Sequence, residues 1–397
     1  MKLISVQTAT EQILACQFPT QSELLSLENA YGKILAEDLH ADRDFPPFDR
    51  VSMDGIAIRY EDFKNGNTAF AIQEIQAAGD PQKTLTIPKG CLEVMTGAVL
   101  PLNTDTVIRY EDLEIINGFA EIKAEVTAAQ NIHFKGMDKK AGERLIQAGK
   151  KINASHIAVA ATLGKQSLKV IKAPKVALIS SGDELVTIDK EPLPHQIRMS
   201  NMYAIAALLR KQGIPSTHIH IADNKVQTAE AIKKALSEYD ILILSGGISM
   251  GKKDYIPEAL EKNKVTKLFH KIAQKPGKPM WFGKTDKNLV FALPGNPVST
   301  FLCTVRYVLP WFNQYFGQPA FTSQTAILTE DIRFRPQLTY FLQVKISYNE
   351  SKVFATPVQH NGSGDFLSLS DADGFIELPE SDEVLFPKGG SFPIHLF

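Results

Sequence analysis

The chain has 397 residues, 44% apolar and 22% charged, with a formal net charge of −1. This length exceeds what a single hydrophobic core serves, so about three domains are expected, and the near-neutral charge excludes a protein built mainly to neutralise a nucleic-acid backbone. Cys16, Cys91 and Cys303 are few and widely spaced; they form neither a disulfide framework nor a metal spacing and read as packing residues in a reducing compartment.

The opening stretch, "MKLISVQTATEQILACQF", lacks the apolar core of a signal peptide. Thr8 and Glu11 stand at capping-box spacing before an amphipathic run, which predicts a helix starting there. No apolar stretch approaches the roughly 18 residues of a membrane span. A cytoplasmic protein with no membrane and no nucleic-acid partner is expected. Residues 45–55, "FPPFDRVSMDG", then place a proline pair, Asp49, Ser52 and Asp54 before a strand-like "IAIRY". Pro-Pro and Asp-Gly are turn chemistry in their own right, so a structural turn and a functional loop compete at this point.

From about 55 to 130, short partly alternating segments separated by Gly, Pro and Asn ("AFAIQEI", "CLEVM", "DTVIRYE", "FAEIKAEV") predict a small β domain. "GERLIQAGKKINASHIAVAATLG" reads as helical and able to pack beside the first helix. From Lys175, apolar runs alternate with helical ones: "KVALIS", "SNMYAIAALLRKQG", "STHIHIA", "VQTAEAIKKALSEY", "DILILS", "YIPEALEKN" and "LVFAL". That alternation predicts a doubly wound, mostly parallel α/β sheet. After 325, "AILTEDIRF", "YFLQVKI", "KVFATPV" and "FIELP" return to short strands and a second small β domain.

Ligands of open α/β sheets sit beyond the carboxyl ends of the strands, which directs attention to five loops. These carry Gly182, Asp183 and Glu184; Asp223; Gly246, Gly247, Ser249, Gly251 and Asp254; Lys275 and Lys278; and Asn296 and Ser299. Each alone is compatible with turn and cap chemistry. Together they offer bare backbone for a phosphate or pterin, two ammonium groups for an anion, and carboxylates that tolerate the anion only with a divalent cation between them. The residues therefore predict a phosphorylated ligand with Mg²⁺. "SGGISMGKKD" is neither G-x-G-x-x-G nor Walker A, and His133, His195 and His270 match no metal or triad spacing.

In this order and spacing, "PPFDRVSMDGIAIR", "MTGAVLPLNTDTVIRYED", "SSGDELV", "SGGISMGKKD", "KPGKPMWFGK" and "LPGNPVS" resemble the molybdopterin molybdenumtransferase family, which includes the E domain of gephyrin. The resemblance implies a multidomain α/β plus β subunit in four parts: a helical linker domain at 1–44 and 131–174, an inserted β domain at 45–130, the molybdopterin-binding α/β domain at 175–324, and a C-terminal β domain at 325–397. It implies a homodimer in which the inserted domain of one subunit faces the α/β domain of the other, and transient contact with molybdopterin adenylyltransferase. The implied reaction joins molybdate to adenylylated molybdopterin with release of AMP. Asp54, Thr96, Glu184 and Asp254 are the implied catalytic residues, and Glu184, Asp223 and Asp254 the metal ligands. Gly246, Gly247, Ser249, Lys275, Lys278, Asn296, Ser299 and Ser363 would bind the substrate.

The chain departs from the family pattern in places. Lys252 stands where an acidic residue is usual, and "HFKGMD" replaces R-x-x-G-E-D, with His133 and Met137 as substitutes and Asp138 kept. In "QLTYFLQ", Leu338 and Gln343 occupy positions where the family has arginines near the oxyanion, with Arg335 or Lys345 as candidate replacements. Two alternatives therefore stay open: an adenylyltransferase-like activity of the α/β domain, and a non-catalytic molybdopterin-binding scaffold with a weakened oxyanion site.

Overall fold

The computed structural model describes residues 3–248 and 255–397. They fall into two compact units, one from Met1–Leu25, Ala30–Ala36 and Lys169–Phe397, the other from Ser26–Asn29 and Glu37–Leu168. In the first, α1 (Val6–Leu14) begins one turn earlier than the sequence pattern predicts: the Ser5 hydroxyl accepts the Thr8 N–H at 3.0 Å and so caps the helix. Thr8 thus lies inside the first turn. Helix α1 buries Val6, Ala9 and Ile13 in a core shared with Trp311, Phe312 and Phe291.

The second unit holds a six-stranded sheet of β1 (Gly55–Ile58), β2 (Ala69–Gln76), β3 (Gly90–Val94), β4 (Thr106–Arg109), β5 (Leu113–Ile116) and β6 (Phe119–Ile122), in the order β4-β1-β3-β2-β6-β5. The alternation in β1 separates two apolar faces, because Ala57 joins one buried cluster and Ile56 and Ile58 the other. Residues 143–153 are not helical as expected. Arg144–Ile146 pairs antiparallel with Leu39–His40, and only α2 (Ala154–Thr162) is helix, with Asn153 accepting the His156 N–H as its cap.

The α/β sheet of the first unit contains β7 (Val176–Ser181), β8 (Ser216–Ile221), β9 (Ile241–Ser245), β10 (Thr266–His270), then, after the short β11 (Gln274–Lys275), β12 (Trp281–Lys284) and β13 (Leu289–Leu293). Its order is β8-β7-β9-β13-β12-β10, parallel through the first four strands and antiparallel at β12 and β10. Strands β7, β9 and β13 are buried throughout, as expected of parallel strands covered on both faces by helices such as α3 (Asn201–Lys211) and α4 (Lys225–Glu238). A helical run follows β13: α5 (Pro297–Cys303), a π-helical turn at Thr304–Val308, and α6 (Leu309–Tyr315).

The C-terminal strands β14 (Thr325–Leu328), β15 (Thr339–Asn349), β16 (Lys352–Pro357), β17 (Gly374–Leu378) and β18 (Ser391–Leu396) pair as β15-β16-β14-β18-β17, and β17 pairs back onto β15 to close the ring. Strand β11, which precedes the Lys275–Lys278 loop, adds to this barrel rather than to the α/β sheet, with Gln274 opposite Thr339 and Lys275 opposite Tyr340.

Candidate active site

At the carboxyl end of β7, Gly182 has φ +141°, and a Cβ there would lie 2.5 Å from Glu184 Oε2. Only bare backbone lets the Glu184 carboxylate lie against this strand end. After β8, Asp223 Oδ1 accepts from the buried Ser181 hydroxyl at 3.2 Å, while the Asp223 N–H donates to Asp183 Oδ1 at 3.0 Å. Asp183 is thereby a brace between two loops. Gly246 and Gly247 follow β9, and Asn296 and Ser299 open the helix after β13. Asn296 Nδ2 donates to Ser363 Oγ at 2.7 Å and the Val298 N–H to the Ser363 carbonyl at 3.1 Å, so the barrel's 361–365 segment fastens onto this helix start.

Lys275 and Lys278 flank a cis Lys275–Pro276 bond and Gly277. Lys275 Nζ stands 5.9 Å from the centre of the Phe334 ring, which stacks on Tyr340 at 4.2 Å. Glu184, Asp223, Gly246, Gly247, Lys275, Lys278, Asn296, Ser299 and Ser363 all line one cavity of about 580 Å³, together with Gln274 and Leu338. That volume suits a phosphorylated heterocycle. A second depression of about 520 Å³, bordered by Lys172, Lys175 and Asp240, lies at the amino ends of the strands, where α/β sheets do not place their ligands.

Glu184 and Asp223 are hard oxygen donors in a cavity with room for phosphate. Mg²⁺ characteristically takes one or two carboxylates and completes its shell with substrate oxygens and water, so the donor set fits that ion. Among the described residues no group of three or more His, Cys, Asp or Glu side chains is arranged to hold a metal. Ser249, Lys252 and the third expected ligand, Asp254, lie outside the described residues.

Asp54 and Thr96 belong to the other unit, where they meet each other: Asp54 Oδ1 accepts from the Thr96 N–H at 2.6 Å and from the Thr96 hydroxyl at 2.7 Å. These two bonds hold the Asp54 carboxyl below its ordinary pKa and fix it as an exposed carboxylate. Asp49 does different work, since its Oδ1 accepts the Lys135 N–H at 2.8 Å and ties two loops together. The structural reading of "FPPFDRVSMDG" holds for Asp49. His133 bridges Arg50 at 2.9 Å and Asp138 at 2.8 Å.

Comparison with known proteins places the whole chain. Residues 4–164 match the MoeA N-terminal region (domain I and II), 177–314 the probable molybdopterin binding domain, and 325–397 the MoeA C-terminal region (domain IV). The chain is 39% identical to the molybdopterin molybdenumtransferase of Synechocystis sp., over 99% of this chain and all of that one. The chain belongs to the molybdopterin molybdenumtransferase family. The Bacillus subtilis molybdopterin molybdenumtransferase is 30% identical over 95% of this chain and 90% of its own. The crystal structure of the molybdopterin biosynthesis MoeA protein from Pyrococcus horikosii superposes with a TM-score of 0.87 at 29% identity, covering 100% of this chain and 99% of that one.

Within this family frame, the two C-terminal departures separate. Leu338 lines the cavity, half-buried, and also touches the barrel core. Gln343 does not reach the cavity: it is 1% exposed and accepts from the Ser368 hydroxyl at 3.0 Å. Arg335 and Lys345 are exposed and do not line this cavity.

Two supports escaped the sequence reading. Asn201 Nδ2 donates to Ser245 Oγ at 2.9 Å and to the Gly295 carbonyl at 2.8 Å, joining the ends of β9 and β13; in the sequence it resembles an ordinary helix start. Gln274, buried beneath the lysine loop, resembles a turn residue.

Proposed function

We propose that this protein inserts molybdate into adenylylated molybdopterin, releasing AMP. The observation that carries the reading is the meeting of Glu184, Asp223, Lys275, Lys278, Asn296, Ser299 and Ser363 in one strand-end cavity, in a chain matched by its family from end to end. The full-length match also argues against the adenylyltransferase alternative, which needs only the α/β domain.

Lys275 and Lys278 neutralise the anionic groups of pterin and oxyanion. The Asn296–Ser363 contact shapes the wall against which the phosphate rests, and the glycines of the β7 and β9 ends admit it close to backbone. Glu184 and Asp223, with Asp254, would hold Mg²⁺. When bound, the ion supplies Lewis-acid polarisation of the phosphoanhydride. With the lysines fixed before substrate arrives, charge developing on the leaving phosphate meets preoriented cations.

The finer features are part of the same proposal: four parts bounded at 44/45, 130/131, 174/175 and 324/325, cytoplasmic residence, transient contact with the adenylyltransferase, and a homodimer in which the Asp54–Thr96 pair of one subunit serves the cavity of its partner. Three buried free cysteines support a reducing compartment. Among the described residues no helix is long and apolar enough to cross a membrane.

The test is to incubate the protein with adenylylated molybdopterin and Mg²⁺, with and without molybdate, and to add an apo-molybdoenzyme. Molybdate-dependent activation of the apoenzyme with concurrent AMP release is expected. Pterin binding without either event would favour the scaffold alternative, for which the apolar Leu338 wall is the supporting observation.

A further inference from the structure

Beneath the lysine loop, three buried polar groups are linked to one another. Gln274 and Cys303 are 0% exposed and Tyr307 is 1% exposed, among Ile272, Met280, Leu302 and Phe341. The Tyr307 hydroxyl donates to Gln274 Oε1. Gln274 Nε2 donates in turn to the Pro276 carbonyl at 3.0 Å and lies 3.7 Å from Cys303 Sγ. Cys303 Sγ is 3.9 Å from the Gly277 carbonyl. The loop rests directly on this layer, for a Cβ on Gly277 (φ +88°) would lie 2.6 Å from Gln274 Nε2 and 2.7 Å from Cys303 Sγ.

Apolar side chains of similar volume could fill this space without desolvating an amide and a phenol. What they could not do is grip the Pro276 carbonyl between the two cavity lysines. Tyr307 reaches Gln274 from the π-helical turn Thr304–Val308, a local geometry that recurs at functional sites because it redirects side chains. Burial pushes the Tyr307 phenol well above its ordinary pKa, which keeps it a donor across the working pH range.

We propose that Tyr307 and Gln274 are positioning residues: through the Pro276 carbonyl they hold Lys275 and Lys278 in the cavity so that the anionic ligand is met by prearranged charge. The inference rests on the reading of these lysines as the anion site given above.

Four variants test it: Tyr307→Phe, the double variant Gln274→Met/Tyr307→Phe, and Lys275→Ala and Lys278→Ala as references. Molybdopterin binding is measured by calorimetry well below each melting temperature, with kcat and KM for AMP release and thermal melting alongside. Tyr307→Phe should weaken binding and raise KM about 10-fold, with kcat within about threefold, the scale at which small misplacements of binding groups act. The double variant leaves no unpaired polar atom from this pair and should recover most of any loss in melting temperature. Its binding should stay weak, because replacing Gln274 takes away the donor to the Pro276 carbonyl. Binding by both Tyr307 variants within twofold of the parent, or affinity that recovers with stability in the double variant, would overturn the proposal. If only the two lysine variants bind weakly, positioning alone fails. If the lysine variants bind like the parent, the anion-site reading fails and takes the proposal with it.

Discussion

Replacing Glu377 by Gln should destabilise the first unit by about 3 kcal/mol at pH 7. Glu377 Oε2 lies 2.9 Å from Arg306 Nε and 2.6 Å from His395 Nε2, and the side chains are 19%, 9% and 11% exposed respectively. Arg306 also donates to Thr10 of α1 at 3.1 Å, so the cluster joins the first helix, the π-helical turn and two barrel strands. Burial alone would raise the Glu377 pKa, but the His395 hydrogen bond and the Arg306 guanidinium outweigh it and bring the value from 4.5 down to about 2. That fall corresponds to about 3 kcal/mol, in line with the cost of leaving a buried guanidinium without its counter-ion. For a unit of this size the melting temperature should drop by roughly 6–12 °C. A folded-state pKa below the unfolded one means the contribution is complete above about pH 4.5 and lost as pH falls toward 2. Melting of parent and variant at pH 7, 5 and 3.5 should therefore show a gap that is full at the two higher values and narrower at the lowest. A gap under about 2 °C at pH 7, or one that widens on acidification, would refute the reasoning.

Leu338→Arg puts a forked donor on the cavity wall and should lower the half-saturating molybdate concentration, with a smaller effect on pterin affinity. Kinetic titration alongside thermal melting checks this; unchanged molybdate dependence with a large fall in melting temperature would mean that the Leu338 contact with the barrel core is its whole role. Asp54→Asn should reduce AMP release about 100-fold or more while the protein stays folded, since the exposed carboxylate held by Thr96 supports no buried structure. Activity within threefold of the parent would remove Asp54 from the catalytic set.

The α/β architecture was legible because buried parallel strands are written as unbroken apolar runs, here Val176–Ser181, Ile241–Ser245 and Leu289–Leu293, each followed by a Ser-Gly or Pro-Gly loop. The strand-end rule nominates Glu184, Asp223, Lys275, Lys278, Asn296 and Ser299, which line the cavity; it also nominates Asp183, which braces the loops instead, and Ser249, Gly251 and Asp254, which lie outside the described residues. The helix start was misplaced because Thr8–Glu11 satisfies the capping pattern that Ser5 satisfies physically one turn earlier. That Gln343 does not reach the cavity follows from residue parity along β15. Leu342 and Val344 face the barrel interior, so Gln343 points to the opposite face with Phe341, away from the set that Leu338 joins. Gln274 and Tyr307 could not be paired from sequence at all: 33 residues separate them, and their contact depends on a π-helical turn that no local pattern announces.

Lys275 and Lys278 of the strand-end cavity are proposed to serve molybdate insertion. The most direct measurement is the ratio of molybdenum incorporated to AMP released, in the parent and in a Lys275→Ala/Lys278→Ala double variant. The parent should approach one molybdenum per AMP. The variant should melt within a few degrees of it, because both lysines are exposed, yet turn over about 100-fold more slowly or worse. AMP release that ignores molybdate, or a variant that matches the parent, would contradict the claim.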